Sequence, residues 1–135
     1  MLAGTDSFAH LDVPREAIRR RVAQQLRNMA LRLRRRYLAI VDDRQAQAAT
    51  LAGTARPLAL EAAAFLRLAG RPVPEEDRTA AIFAAAAPAF DLNPEALARL
   101  AELRQQPTAV EDVSTLFAQV LEIVTRLADR AEQLT

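Results

Sequence analysis

Between residues 14 and 41, the apolar side chains Ile18, Val22, Leu26, Met29, Leu33, Tyr37 and Ile40 follow one another in steps of four, four, three, four, four and three. Steps of that kind draw one stripe along one side of an α-helix. A helix of this length runs roughly 42 Å at 1.5 Å per residue. A compact globule of 135 residues has a radius of gyration of only roughly 14 Å. The chain is therefore predicted to be all-α and elongated, an up-and-down bundle of four to five helices laid along this one.

The chain in order supports that expectation. Residues 1–13 read as an N-terminal arm, with Gly4, Asp6 and Ser7 favouring turns and Phe8 and Leu11 able to pin it to the bundle. Residues 14–135 read as a single helical domain. Pro14 suits a first helical position, where its missing N–H has no helical partner to lose, and Glu16 complements the helix dipole. Asp42 and Asp43 close this helix and open the next. That second helix spans 44–69, and Gly53 and Pro57 predict a kink or break near residues 54–56. Gly70, followed by Pro72 and Pro74, is a helix stop. Pro74 with Glu75, Glu76 and Asp77 predicts a third helix that ends before Pro88. Asn93 and Pro94 are a cap and a first turn, and Leu97, Leu100 and Leu103 follow. The last helix is predicted over 110–133, with Val113, Phe117, Val120, Val124, Leu127 and Ala131 in alternating steps of four and three. That narrow seam predicts close pairing of the long first and last helices. No strand pattern and no internal repeat is visible.

Composition narrows the function classes. Apolar residues make up 51% of the chain, much of it alanine, and aromatics only 4%, which suits close-packed helices better than sheets. There is no cysteine, which excludes disulfides, thiolate metal sites and cysteine nucleophiles. No uncharged run reaches membrane-spanning length, and the N-terminus lacks a basic start with an apolar stretch behind it. A cytoplasmic location is the resulting expectation. Net charge is +1, yet residues 14–41 hold nine arginines against the single acid Glu16.

That helix carries a second pattern. Ala17, Gln24, Leu31 and Leu38 recur every seven residues away from the main stripe. A helix buried on one side does not need Leu31 and Leu38 there. Either the first helix is central, with neighbours on both sides, or the second seam faces a partner, in which case a homodimer is one expectation. Arg20, Arg27, Arg34 and Arg35 share this back face on a helical wheel. Arginine binds phosphate through two parallel hydrogen bonds, so these four are candidates for phosphate or RNA. Tyr37 alone offers a stacking surface, which weakens the single-strand reading. The alternative is that they pair with acids of neighbouring helices.

Catalytic patterns are not found. The single histidine, His10, sits in no metal-ligand spacing. A Ser–His–Asp set drawn with Ser7 or Ser114 has no nucleophile-elbow sequence around it. Gly4, Gly53 and Gly70 are too far apart for a phosphate-cradling loop. Glu75, Glu76 and Asp77 read better as dipole compensation than as a metal pair. No metal and no cofactor is expected, and the chain is expected to be non-catalytic by itself.

The stretches Gly4-Thr5-Asp6-Ser7-Phe8, Leu11-Asp12-Val13-Pro14-Arg15-Glu16, Leu26-Arg27, Leu31-Arg32-Leu33-Arg34 and Tyr37-Leu38 carry a likeness, continued by Phe65-Leu66-Arg67-Leu68-Ala69-Gly70 and the short helix after Asn93. Together they resemble the helical region that follows the catalytic domain in certain bacterial nucleotidyltransferase-like proteins. In that family the catalytic domain carries a Gly-Ser loop and an Asp-x-Asp metal pair, and this chain has no Gly-Ser dipeptide and no Asp-x-Asp. The resemblance implies a helical accessory domain that docks on such a catalytic domain, or self-associates, and helps form the substrate side of its cleft. A related bundle family of ribonuclease toxins uses an arginine followed shortly by a histidine. Here His10 precedes every arginine, so that motif is absent.

Overall fold

The computed structural model describes residues 14–74, 78–106 and 112–134. The N-terminal arm, with His10 and Ser7, and the Glu75, Glu76, Asp77 cluster lie outside the described residues. Five α-helices are present: α1 (Arg15–Ala39), α2 (Arg44–Leu68), α3 (Thr79–Phe90), α4 (Pro94–Gln105) and α5 (Val113–Gln133), with no strand among the described residues. The long first and last helices pair most extensively of all, as the periodicity predicts.

Local signals set the helix ends. Asp43 caps α2 by accepting from the Ala46 N–H at 3.0 Å, and Asn93 caps α4 by accepting from Glu95 and Ala96. Asp112 caps α5 through the Thr115 N–H and hydroxyl, and these two bonds hold its carboxyl below the usual range. Gly70 ends α2 at φ 71°, and the Arg71 N–H returns to the Leu66 carbonyl at 2.9 Å. Glycine reaches that left-handed region without a Cβ clash. A buried side chain closes α1: Gln47 of α2 donates to the carbonyls of Ile40 and Val41, at 3.2 and 3.0 Å. The Ile40 carbonyl also accepts from the Asp43 N–H at 3.0 Å, so Gln47 adds a second bond there and serves the Val41 carbonyl as well.

Both helices with an internal proline continue through it, so the break allowed for at Pro57 and the end expected before Pro88 are absent. α2 runs unbroken through Pro57. The lost hydrogen bond frees the Gly53 carbonyl, and Gly53 and Pro57 are both exposed, so water can serve it. A Cβ at Gly53 would meet nothing within 4 Å, so there is open space on that side. On the opposite face Leu51, Ala55 and Leu58 are fully buried and hold the helix on both sides of the interruption. Likewise α3 begins at Thr79, not Pro74, and continues past Pro88 to Phe90. Phe90 stacks on Phe65 with ring centroids 4.3 Å apart. Asp91 then turns left-handed at φ 55°, and the Leu92 N–H closes on the Ala87 carbonyl at 2.9 Å. Packing of Phe90 and Leu92 thus keeps a turn that Pro88 alone would not favour.

The arrangement around α1 bears on the two possibilities that its second seam left open. α1 packs antiparallel to α5, as the Arg19–Ala131 and Tyr37–Ser114 bonds show. It packs antiparallel to α2, as the Arg15–Leu68 and Arg36–Thr50 bonds show. The α3–α4 hairpin lies against α2, and α4 also meets α5. The helix that touches every other one is therefore α2, and α1 sits at an edge. Alanine explains this. Ala48, Ala55, Ala59, Ala62 and Ala63 are buried along α2, making it slim enough for neighbours to surround. α5 is buried on a broader face than its narrow seam implies, because Leu116, Ile123 and Ala128 are also buried. Three neighbours, α1, α2 and α4, cover it.

Candidate interaction face

The core side of α1 follows the predicted stripe. Val22, Leu26, Met29, Leu33 and Ile40 are buried, while Ile18 and Tyr37 are half-buried at its ends. The Tyr37 ring lies 5.1 Å from Phe117, and its hydroxyl lies 3.3 Å from the Ser114 hydroxyl. The opposite side is open. Leu31 is 41% exposed, Leu38 73%, and Val41, in the turn that follows, 51%. Ala17 and Gln24 are exposed as well. Of the two arrangements the sequence allowed, a central helix covered on both sides is excluded, since no part of the described chain covers this seam. Leu31 and Leu38 stand two turns apart, about 10 Å along the axis.

The four candidate arginines separate into two pairs. Arg27 faces α5 rather than solvent alone: its guanidinium meets Glu132 at 2.6 Å and Asp129 at 3.2 Å, and these acids raise its pKa. Arg20 meets Glu16 at 3.2 Å on its own helix. Arg19 holds the same carboxylate at 2.6 Å and also donates to the Ala131 carbonyl at 2.9 Å. Hydrogen bonds from Arg19 and then Arg20 pull the Glu16 carboxyl from 4.5 down to about 2. Arg34 and Arg35 form no hydrogen bond or ion pair among the described residues. Arg34 borders a shallow groove against α5, lined by Leu121, Thr125 and Asp129. Arg35 lies exposed on the outer side beside Leu31 and Leu38. The face therefore combines apolar side chains with two arginines that form no ion pair among the described residues, with Glu122 and Asp129 across the groove from Arg34.

Sequence reasoning placed Leu31 and Leu38 but passed over Val41, which follows the last helical turn and has no periodic signal. It also passed over Leu60 of α2, 49% exposed. A groove of about 730 Å³ lies between α3 and α4, with Phe83 and Leu97 at its base and Ala80, Ala84 and Ala98 along its walls. Among the described residues no group of three His, Cys, Asp or Glu side chains is placed to hold a metal ion. No described helix is long and apolar enough to cross a membrane. No family model, curated protein or solved structure matches the chain.

Proposed function

We propose that this chain is a helical accessory domain that docks through the outer face of α1 onto an acidic, partly apolar surface of a nucleotidyltransferase-type catalytic domain. The observation that carries the reading is Leu38, the most exposed large apolar residue described, flanked by Arg34 and Arg35 without acid partners. Fully burying one leucine contributes about 1.5–3 kcal/mol, and a carboxylate opposite each arginine adds specificity and register. The resemblance of the first helix to the helical region of nucleotidyltransferase-like proteins supplies the class of partner, and in that arrangement α1 faces the substrate side of the cleft.

Charge favours this partner over a second copy. A symmetric pairing of two α1 outer faces repeats the same patch on both sides. It would set Arg34 and Arg35 of one chain against arginines of the other, and like charges at an interface are costly. A phosphate backbone is the competing reading. Arg20 and Arg27 are already held by acids, which leaves Arg34 and Arg35 to serve it.

The test is affinity purification of the intact chain from its native cells at moderate salt, alongside a Leu31→Glu/Leu38→Glu variant. Both leucines are exposed, so the variant should keep its thermal midpoint. Natural protein should retain a chain carrying a Gly-Ser loop and an Asp-x-Asp pair, and the variant should lose it. Retention of that chain by both proteins overturns the reading. So does recovery of nucleic acid alone, with affinity falling steeply as salt rises.

A further inference from the structure

A different side of α1 carries a second arginine cluster. Arg15 and Arg21 of α1 and Arg67 of α2 line one pocket of about 360 Å³, whose remaining wall is Ile18, Ala64 and Leu68. No acid lines it. Antiparallel packing creates it, by setting the first turns of α1 against the last turn of α2. The volume lies in the range of roughly 300–1,000 Å³ usual for small-molecule sites.

On α1, Arg19 and Arg20 share Glu16, and Arg27 meets Asp129 and Glu132. The arginines of this pocket, like Arg34 and Arg35, form no ion pair among the described residues. Arg15 donates to the Leu68 carbonyl at 2.6 Å. That bond fixes its guanidinium at the pocket edge and still leaves it other N–H donors. Arg67 has no hydrogen bond or ion pair among the described residues; its place in the last turn of α2 suits the helix dipole. Arg21 forms no ion pair among the described residues, but it lies near enough to Glu61 to act on that carboxyl. Glu61 lies outside the pocket wall, and its partial burial raises its carboxyl pKa while Arg21 offsets part of that. Three like charges around one small cavity repel one another, and an anion between them relieves that repulsion.

The geometry points to a binding site for a soluble phosphate monoester with an apolar body, its phosphate between Arg15, Arg21 and Arg67 and its body on Ile18, Ala64 and Leu68. Arginine matches a phosphate through paired N–H donors, which lysine cannot do. The apolar wall separates such an ester from inorganic phosphate, which offers nothing to cover it. The site is independent of the docking face, because Leu31 and Leu38 line no part of it.

The experiment is calorimetric titration of the full chain with phenyl phosphate, with inorganic phosphate in parallel, and thermal unfolding at matched ionic strength in sodium chloride. Phenyl phosphate should bind at least tenfold more tightly than inorganic phosphate and raise the midpoint above the chloride control. Arg67→Gln should lose at least tenfold in affinity, and Arg99→Gln, outside the pocket, should lose none. Removing one of three repelling cations should leave Arg67→Gln folded; if it is not, Arg21→Gln serves as the second variant. The Leu31→Glu/Leu38→Glu variant should bind as the natural chain does, so failure here and failure of the docking reading are distinguishable. Equal midpoints in phosphate ester and chloride overturn the proposal. So does unchanged affinity in the pocket variants, or binding confined to phosphatidic acid vesicles.

Discussion

Replacing Pro57 with alanine should make this protein more stable, although the residue lies in the middle of the helix that every other helix touches. A proline inside a helix costs about 3 kcal/mol relative to alanine, through the missing N–H and the ring's clash with the preceding turn. Against this, the stiffer ring lowers the entropy of the unfolded chain, a gain of about 0.4–1 kcal/mol that alanine gives up. The ring contributes little in exchange, since Pro57 is exposed. Gly53 is exposed, so water can serve the carbonyl left free. The net expectation for Pro57→Ala is a gain of about 2 kcal/mol. Unfolding entropy of about 2.1 cal/mol/K per residue over this chain converts that to a rise of roughly 7 °C in the midpoint. Thermal unfolding by circular dichroism reads the shift. Hydrogen exchange should show the new amide at position 57 protected. A midpoint that stays put or falls refutes the reasoning, and would mean that the ring supports the groove it shares with Met29 and Leu33.

Further expectations concern the core and the charges. Phe90→Ala should cost about 3–5 kcal/mol, because Phe90 is buried and stacked on Phe65; urea unfolding measures it. The same change should loosen the turn around Pro88, seen as faster amide exchange at Leu92, whose N–H closes that turn. Glu16 has its carboxyl depressed by Arg19 and Arg20 from 4.5 to about 2. A depressed folded-state value means that its stabilising effect is present above pH 4.5 and is lost as pH falls toward 2. Glu16→Gln should therefore flatten the acid limb of the stability curve in that window and leave neutral pH little changed in shape. Direct titration of the carboxyl by NMR supplies the check; a midpoint near 4.5 would contradict the Arg19 hydrogen bonds.

Much of the fold was legible because its signals are short-range. A carboxylate or amide three residues ahead of a free N–H makes a cap wherever it occurs, so Asp43 and Asn93 could be read one residue at a time. Gly70 needed only its own missing Cβ. The stripes on the first and last helices needed only the helical period, and both stripes are buried or half-buried. Pro57 and Pro88 are also local signals, but tertiary contacts overrule them: the cost of one missing hydrogen bond is smaller than what Leu51, Leu58 and Phe90 contribute by staying packed.

The candidate site divides along the same line. A seven-residue repeat showed that Leu31 and Leu38 share a face, but only the packed structure shows that α1 lies at the edge, so that the face is open. Arg27 and Arg34 look equivalent in sequence, one heptad apart. Only the register of α5 against α1 gives Arg27 two acids and Arg34 none.

By itself, then, the order of residues determined roughly where most helices begin and end, α3 excepted, and which side of each is apolar, since those depend on neighbours within a turn or two. The tertiary structure alone decided which helix is surrounded, which arginines have partners, and that Arg15, Arg21 and Arg67 meet around one pocket. The reason is that each of these depends on groups dozens of residues apart in the chain, brought together by how thin alanine-rich α2 is and how its neighbours fill the space around it.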